Sequence, residues 1–172
     1  EHEMFGFDFP GPGQRVSMLE EALQMFKLLQ SQERSTFNGR YYQLKDAIFE
    51  PKPVRNPMPL VIGGSQPRML GLIARYADWW DNNFSDVEEY KGRLARIEAV
   101  CAEIGRDPAE IRRSTTKSDT YLVDNNEDQI LADLKELRAL GMTDFLFHVP
   151  KDMKVLRDFA ERTLPALREE LA

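Results

Sequence analysis

Apolar residues at Leu19, Ala22, Leu23, Phe26 and Leu29 return every three or four positions, which predicts a helix from Val16 to Leu29 with one buried face. That face reads as core rather than as a cofactor box. Before it, Phe5 to Gln14 is rich in Gly, Pro and Phe, the composition of an irregular connector packed by its aromatics. After it, residues 36–54 place an Asn38-Gly39 turn before an aromatic-rich stretch and end in spaced prolines, predicting a short β excursion and an extended linker.

From there strand and helix signals alternate. Leu60-Val61-Ile62 is an apolar run of the kind covered on both faces in a parallel sheet, predicting a strand over 59–63. A helix over 66–76 follows, with Met69, Leu70, Leu72, Ile73 and Tyr76 as its apolar positions, and Ala77-Asp78-Trp79-Trp80-Asp81 predicts a short strand. Ser85 and Glu88 have capping-box spacing ahead of a stripe of Val87, Tyr90, Leu94, Ile97, Cys101 and Ile104; Gly105 closes that helix and Asp107-Pro108 starts a turn. A strand over 114–123 is predicted next, polar from Ser114 to Asp119 and apolar at Tyr121-Leu122-Val123. Asn126 caps a helix carrying Ile130, Leu134 and Leu137, with Gly141 after its end. Phe145-Leu146-Phe147 is the last strand, and a final helix with Val155, Leu156 and Phe159 is interrupted near Pro165 and ends with Leu167 and Leu171. Four strand-helix units mean an α/β fold with a parallel sheet, either an open doubly wound sheet or half of an eight-stranded barrel. Local pattern is compatible with both.

At 172 residues the chain has room for one domain, and 42% hydrophobic with 30% charged residues is a globular composition. No apolar run approaches the ~20 residues a membrane helix needs. A net charge of −6 without a basic stripe argues against nucleic acid and leaves small molecules or proteins as partners. The single cysteine, Cys101, cannot form an internal disulfide and sits in a helical stripe, so a small buried apolar residue in a reducing cytoplasm is expected. The chain opens Glu1-His2-Glu3, with neither an initiator Met nor a signal peptide, as a segment of a longer product would.

The candidate chemistry concentrates at Gly63-Gly64-Ser65. Two glycines let the backbone turn sharply and approach a ligand closely. Ser65 as N-cap and Pro67 near the first helical position would open a helix whose first N–H groups and dipole favour an anion such as phosphate, with Arg68 adding charge. An ordinary strand-to-helix turn with glycines for geometry alone is the alternative these residues leave open. His148, just past the last strand, is a candidate for the substrate side of a pocket. Lys117 and Asp119 either face the same mouth or pair at the surface, the surface reading being favoured. His2 between Glu1 and Glu3 lacks the spaced ligands of a metal site, so no metal is expected. Ser65 lacks the following glycine of a nucleophile elbow.

The run Phe37-Asn38-Gly39-Arg40-Tyr41-Tyr42-Gln43-Leu44-Lys45-Asp46-Ala47, then Pro51-Lys52-Pro53-Val54 and Ile62-Gly63-Gly64, resembles the luciferase-like flavin- or F420-dependent oxidoreductases. The resemblance continues through residues 72–80 and 105–111, with Phe5 to Pro10, Arg15 and Leu19 to Ala22 upstream, and covers nearly the whole chain. It is nearest the F420-dependent branch, whose members are (β/α)8 TIM barrels using F420 for hydride transfer; other branches use FMN, some with dioxygen. It implies one partial barrel domain, the C-terminal half: residues 1–56 as connector, helix and β excursion, and 57–172 as strands five to eight with their helices. It also implies that Gly63, Gly64 and Ser65 wrap the cofactor's phosphate or the F420 tail, and that Trp80 and Asp81, at the active face, are further cofactor-binding residues, Asp81 standing where related sequences often have Asn. The family's acid-base and ring-contacting residues lie largely on the first four strands, so no residue of this chain is assigned as catalytic. The expected activity is hydride transfer between F420, alternatively FMN, and a small organic substrate, as oxidoreductase or monooxygenase. The alternative is a non-catalytic half-barrel that binds a flavin-type phosphate or assembles with another chain. Two open sheet edges and an apolar inner face would favour a homo-oligomer or a complementary N-terminal half.

Overall fold

The strands of the second half are only three to six residues long, so their placement rests on the helices that follow each of them. The computed structural model describes residues 1–84, 86–118 and 120–170, and it divides into two units, Glu1–Leu60 and Val61–Ala172.

The first unit holds helix α1 (Pro12–Ser31) and an antiparallel hairpin of β1 (Arg34–Asn38) and β2 (Gln43–Ile48), the predicted β excursion. Helix α1 starts earlier than its apolar pattern because Pro12 fits the first turn, where a missing N–H costs nothing. Of its expected core stripe Leu23 is buried, whereas Phe26 is exposed. The hairpin loop is held from α1 by Glu21, whose carboxylate accepts the backbone N–H groups of Arg40, Tyr41 and Tyr42 at 2.8–3.0 Å. Desolvation pushes the Glu21 carboxyl up, but these donors and the Arg40 charge outweigh it and hold its pKa below the ordinary value. A side chain at Gly39 would collide with that carboxylate.

The second unit is a four-stranded parallel sheet in the order β3 (Val61–Gly63), β4 (Trp79–Asp81), β5 (Arg112–Lys117), β6 (Asp144–Phe147). The intervening helices are α2 (Pro67–Tyr76), α3 (Val87–Ile104), the short α4 (Tyr121–Asp124) and α5 (Glu127–Ala139); α6 (Met153–Asp158) and α7 (Leu164–Glu170) follow β6. A π-helical turn over Phe159–Thr163 separates α6 from α7 and ends just before Pro165, which has no N–H to continue an α-helical ladder. Leu171 lies outside the described residues.

Three local expectations shift. The third strand of the sheet is the polar stretch 112–117, and Tyr121-Leu122-Val123 forms a helical turn instead of strand. Its polarity is compatible with burial because neighbouring strands and side chains satisfy it, with Ser114 and Thr115 both buried. Helix α3 is capped by Asp86, which accepts the Glu89 N–H at 2.8 Å; Ser85 lies outside the described residues. Three further end signals are in place: Asn126 and Gln129 form a reciprocal capping box, and Gly105 (φ 69°) and Gly141 (φ 84°) follow their helices in left-handed backbone.

Residues paired in register share a face, and successive residues alternate. Ile62, Trp80, Thr115, Phe145 and Phe147 therefore share the helix side, where Trp80 stacks on Tyr90 of α3 and Phe147 meets Phe159. The other side carries Val61 and Gly63, Trp79 and Asp81, Arg112, Ser114 and Thr116, and Asp144 and Leu146. The inner face is thus mixed rather than apolar: Arg112 pairs with Asp144 and lies over the Trp79 ring at 4.5 Å. Among the described residues no helix is long and apolar enough to cross a membrane.

Candidate functional site

β3 ends at Gly63, and Gly64 turns the chain with φ +132°, a conformation that L side chains rarely adopt. A Cβ on Gly64 would also stand 3.1 Å from Met69 Cβ, so this position needs glycine twice over. Gly63 differs. A Cβ there would meet only the Asp81 carbonyl oxygen at 3.8 Å, so what its bare backbone provides is room on the inner face. The N-cap of α2 is Gln66 and not Ser65, because the extended backbone that precedes the helix falls one residue later; its side chain makes no cap. Pro67 is at the first helical position as expected, and the Leu70 N–H closes the first turn on Gln66 O at 3.0 Å. Arg68 is exposed and Ser65 half-buried. Among the described residues the Ser65 N–H has no hydrogen-bond partner.

Adjacent to this turn, the end of β4 splits its residues between the two faces. Asp81 is the register partner of Gly63 and lies on the inner face, where its Oδ1 accepts the Ser114 hydroxyl at 2.7 Å. Trp80 points the other way, is wholly buried, and donates from Nε1 to the Gly64 carbonyl at 3.1 Å. Two asparagines that the sequence reading did not single out fix the loop beyond. Arg93 of α3 donates to Asn82 Oδ1 and to the Asn83 carbonyl, both at 2.6 Å, while Asn83 Oδ1 accepts the Thr116 N–H at 3.1 Å. The available signal was an Asn pair directly after a strand, where side-chain amides substitute for a continuing ladder.

His148 is exposed just past β6, on the same C-terminal edge of the sheet, with its backbone N–H donating to Lys117 O at 3.2 Å. Lys117 is used on the helix side. Its Nζ and the Tyr121 hydroxyl both donate to Asp133 Oδ2 at 2.6 Å, and burial first, then Asp133, raises the Tyr121 pKa. Asp119 lies outside the described residues. Cys101 is fully buried, which raises its thiol pKa, and the His2 ring packs on Phe9 at 4.6 Å. Among the described residues no cluster of His, Cys, Asp or Glu could hold a metal ion. The residues brought together are Gly63, Gly64, Ser65 and Asp81, with Trp80 behind them and His148 two strands away.

Residues 1–170 match the model of the luciferase-like monooxygenase family. The chain belongs to this family. Among the luciferase-like relatives, an FMNH2-dependent dimethylsulfone monooxygenase of Pseudomonas putida is 30% identical over 93 residues, 54% of this chain and 26% of that protein. An F420-dependent glucose-6-phosphate dehydrogenase of Kineococcus radiotolerans is 36% identical over 73 residues, 42% of this chain and 21% of that one. The solved structure of an F420-dependent secondary alcohol dehydrogenase with an F420-acetone adduct matches with a TM-score of 0.82 at 17% identity, covering 97% of this chain and 66% of that chain. The fold is therefore the α/β half-barrel that the resemblance implied, and the open doubly wound alternative falls away. The chain spans about half the length of relatives it matches over most of its own: 49% of an uncharacterized Mycobacterium tuberculosis protein, 28% identical over 156 residues.

Proposed function

We propose that this chain supplies the phosphate-holding half of an F420-dependent, alternatively FMN-dependent, oxidoreductase acting on a small organic substrate. The observation that carries the reading is the Gly63-Gly64-Ser65 turn at the C-terminal edge of the sheet, in a chain of the luciferase-like family. The residues fit such a group: Gly63 leaves the inner face clear, the Ser65 N–H has no partner among the described residues, and α2 begins directly behind the turn. Backbone donors and the positive end of a helix dipole stabilise a phosphate there. When bound, the deazaflavin or flavin supplies hydride chemistry. The protein's part is to grip the tail, keep Asp81 oriented through Ser114 beside it, and line the mouth further along with His148. The buried Cys101 fits a reducing compartment, and we place the protein in the cytoplasm. Titration of the protein with F420 and with FMN, followed by cofactor fluorescence, tests the reading; binding of neither ends it.

A second reading is carried by the sheet order, which among the described residues runs from β3 to β6 with no further strand beside either. Each edge offers backbone groups to a further strand. On this reading the half-barrel binds a flavin-type phosphate without turnover, or associates with a second copy or a separate N-terminal half. Sedimentation as a monomer at all concentrations would exclude self-association, and turnover by the chain alone would exclude the non-catalytic form.

A further inference from the structure

We infer that Trp80 sets the direction in which the Gly64–Ser65 peptide faces, and so makes the turn a receptor for anions. The inference rests on the phosphate-site reading above. It starts from the hydrogen bond between the Trp80 indole N–H and the Gly64 carbonyl, 3.1 Å long. In a trans peptide the C=O and the following N–H point in opposite directions. The Gly64–Ser65 bond is trans, so a carbonyl drawn inward onto the indole turns the Ser65 N–H outward, away from the core. That N–H has no hydrogen-bond partner among the described residues.

The peptide needs such a determinant. Gly64 at φ +132° has the wide backbone freedom of glycine, and a flip of the plane would present the carbonyl oxygen instead, an acceptor that repels phosphate. The indole is well placed to prevent this. It is wholly buried, its ring stacks on Tyr90 with centroids 5.9 Å apart, and the Tyr90 hydroxyl donates to Leu140 O at 3.3 Å, anchoring the stack beyond α5. Trp80 is accordingly a positioning residue that acts through the loop backbone, while direct contact with the ligand belongs to the backbone itself.

The test replaces only the donor. Trp80 is exchanged for its benzothienyl analogue, in which sulfur takes the place of the indole N–H with ring size kept, and Trp80→Phe serves as a genetically encoded second variant. Each 15N-labelled protein is titrated with inorganic phosphate and with FMN while the Ser65 amide resonance is followed, and thermal unfolding is recorded in parallel. The wild-type amide shifts saturably, and the analogue binds both probes about three- to tenfold more weakly while Tm falls by no more than about 5 °C, in line with the loss of one hydrogen bond. Wild-type binding with unaltered affinity in the analogue overturns the role of Trp80 and leaves the phosphate site standing. Failure of the wild-type protein to bind either probe overturns the phosphate site and this inference with it.

Discussion

The Ser114 hydroxyl donates to Asp81 Oδ1 across 2.7 Å, joining β5 to β4 on the inner face at the level of Gly63. Ser114 is almost wholly buried, so the bond has little competition from water. Hydrogen bonds to charged groups contribute about 1.5–3 kcal/mol. Ser114→Ala should therefore lower unfolding free energy by roughly that amount in urea titration. A loss under about 0.5 kcal/mol would mean that water replaces the hydroxyl freely.

The two glycines of the turn should respond differently to the same substitution. Gly64→Ala forces a side chain into positive φ and against Met69, and should cost about 1–3 kcal/mol of stability. Gly63→Ala meets only ordinary contact distance, so Tm should stay near that of the parent while FMN or F420 binding weakens about tenfold. Equal effects of the two on stability would contradict the geometry.

Glu21 gives the first unit a defined acid response. Its native pKa is below the ordinary 4.5, so the stability it contributes is complete above that value and is lost as pH falls through the lowered native pKa. Glu21→Gln keeps an acceptor but no titration. Its stability should decline less steeply below pH 4.5 than that of the parent, and parallel profiles would show that the three backbone donors do not hold the carboxylate in solution.

The Asn126 and Gln129 capping box is exposed and independent of the site. Asn126→Ala should cost about 1 kcal/mol, read as a lower denaturation midpoint at unchanged m-value, with cofactor affinity unaltered. A change in affinity would reveal coupling that this cap's position does not explain.

The alternation of apolar runs with helical stripes was enough to fix the succession of four βα units, since both periodicities are local properties of the chain. Gly105, Gly141 and Asn126 were legible for the same reason: each answers a need of the backbone within one turn. The Gly63-Gly64 turn and its place at the end of a strand could also be read directly. The pattern put Ser114 and Thr115 on a strand, but nothing local reveals that they are buried in it while Tyr121 to Val123 coil into a helix, because the polar groups of the former are satisfied by Asp81 and neighbouring strands from elsewhere in the chain. The same holds for Trp79, Trp80 and Asp81. Sequence put all three on one strand, but register with β3 and β5 decides which face each takes. Only the folded sheet turns Trp80 to the helices, where its indole meets Gly64, and leaves Asp81 beside Gly63.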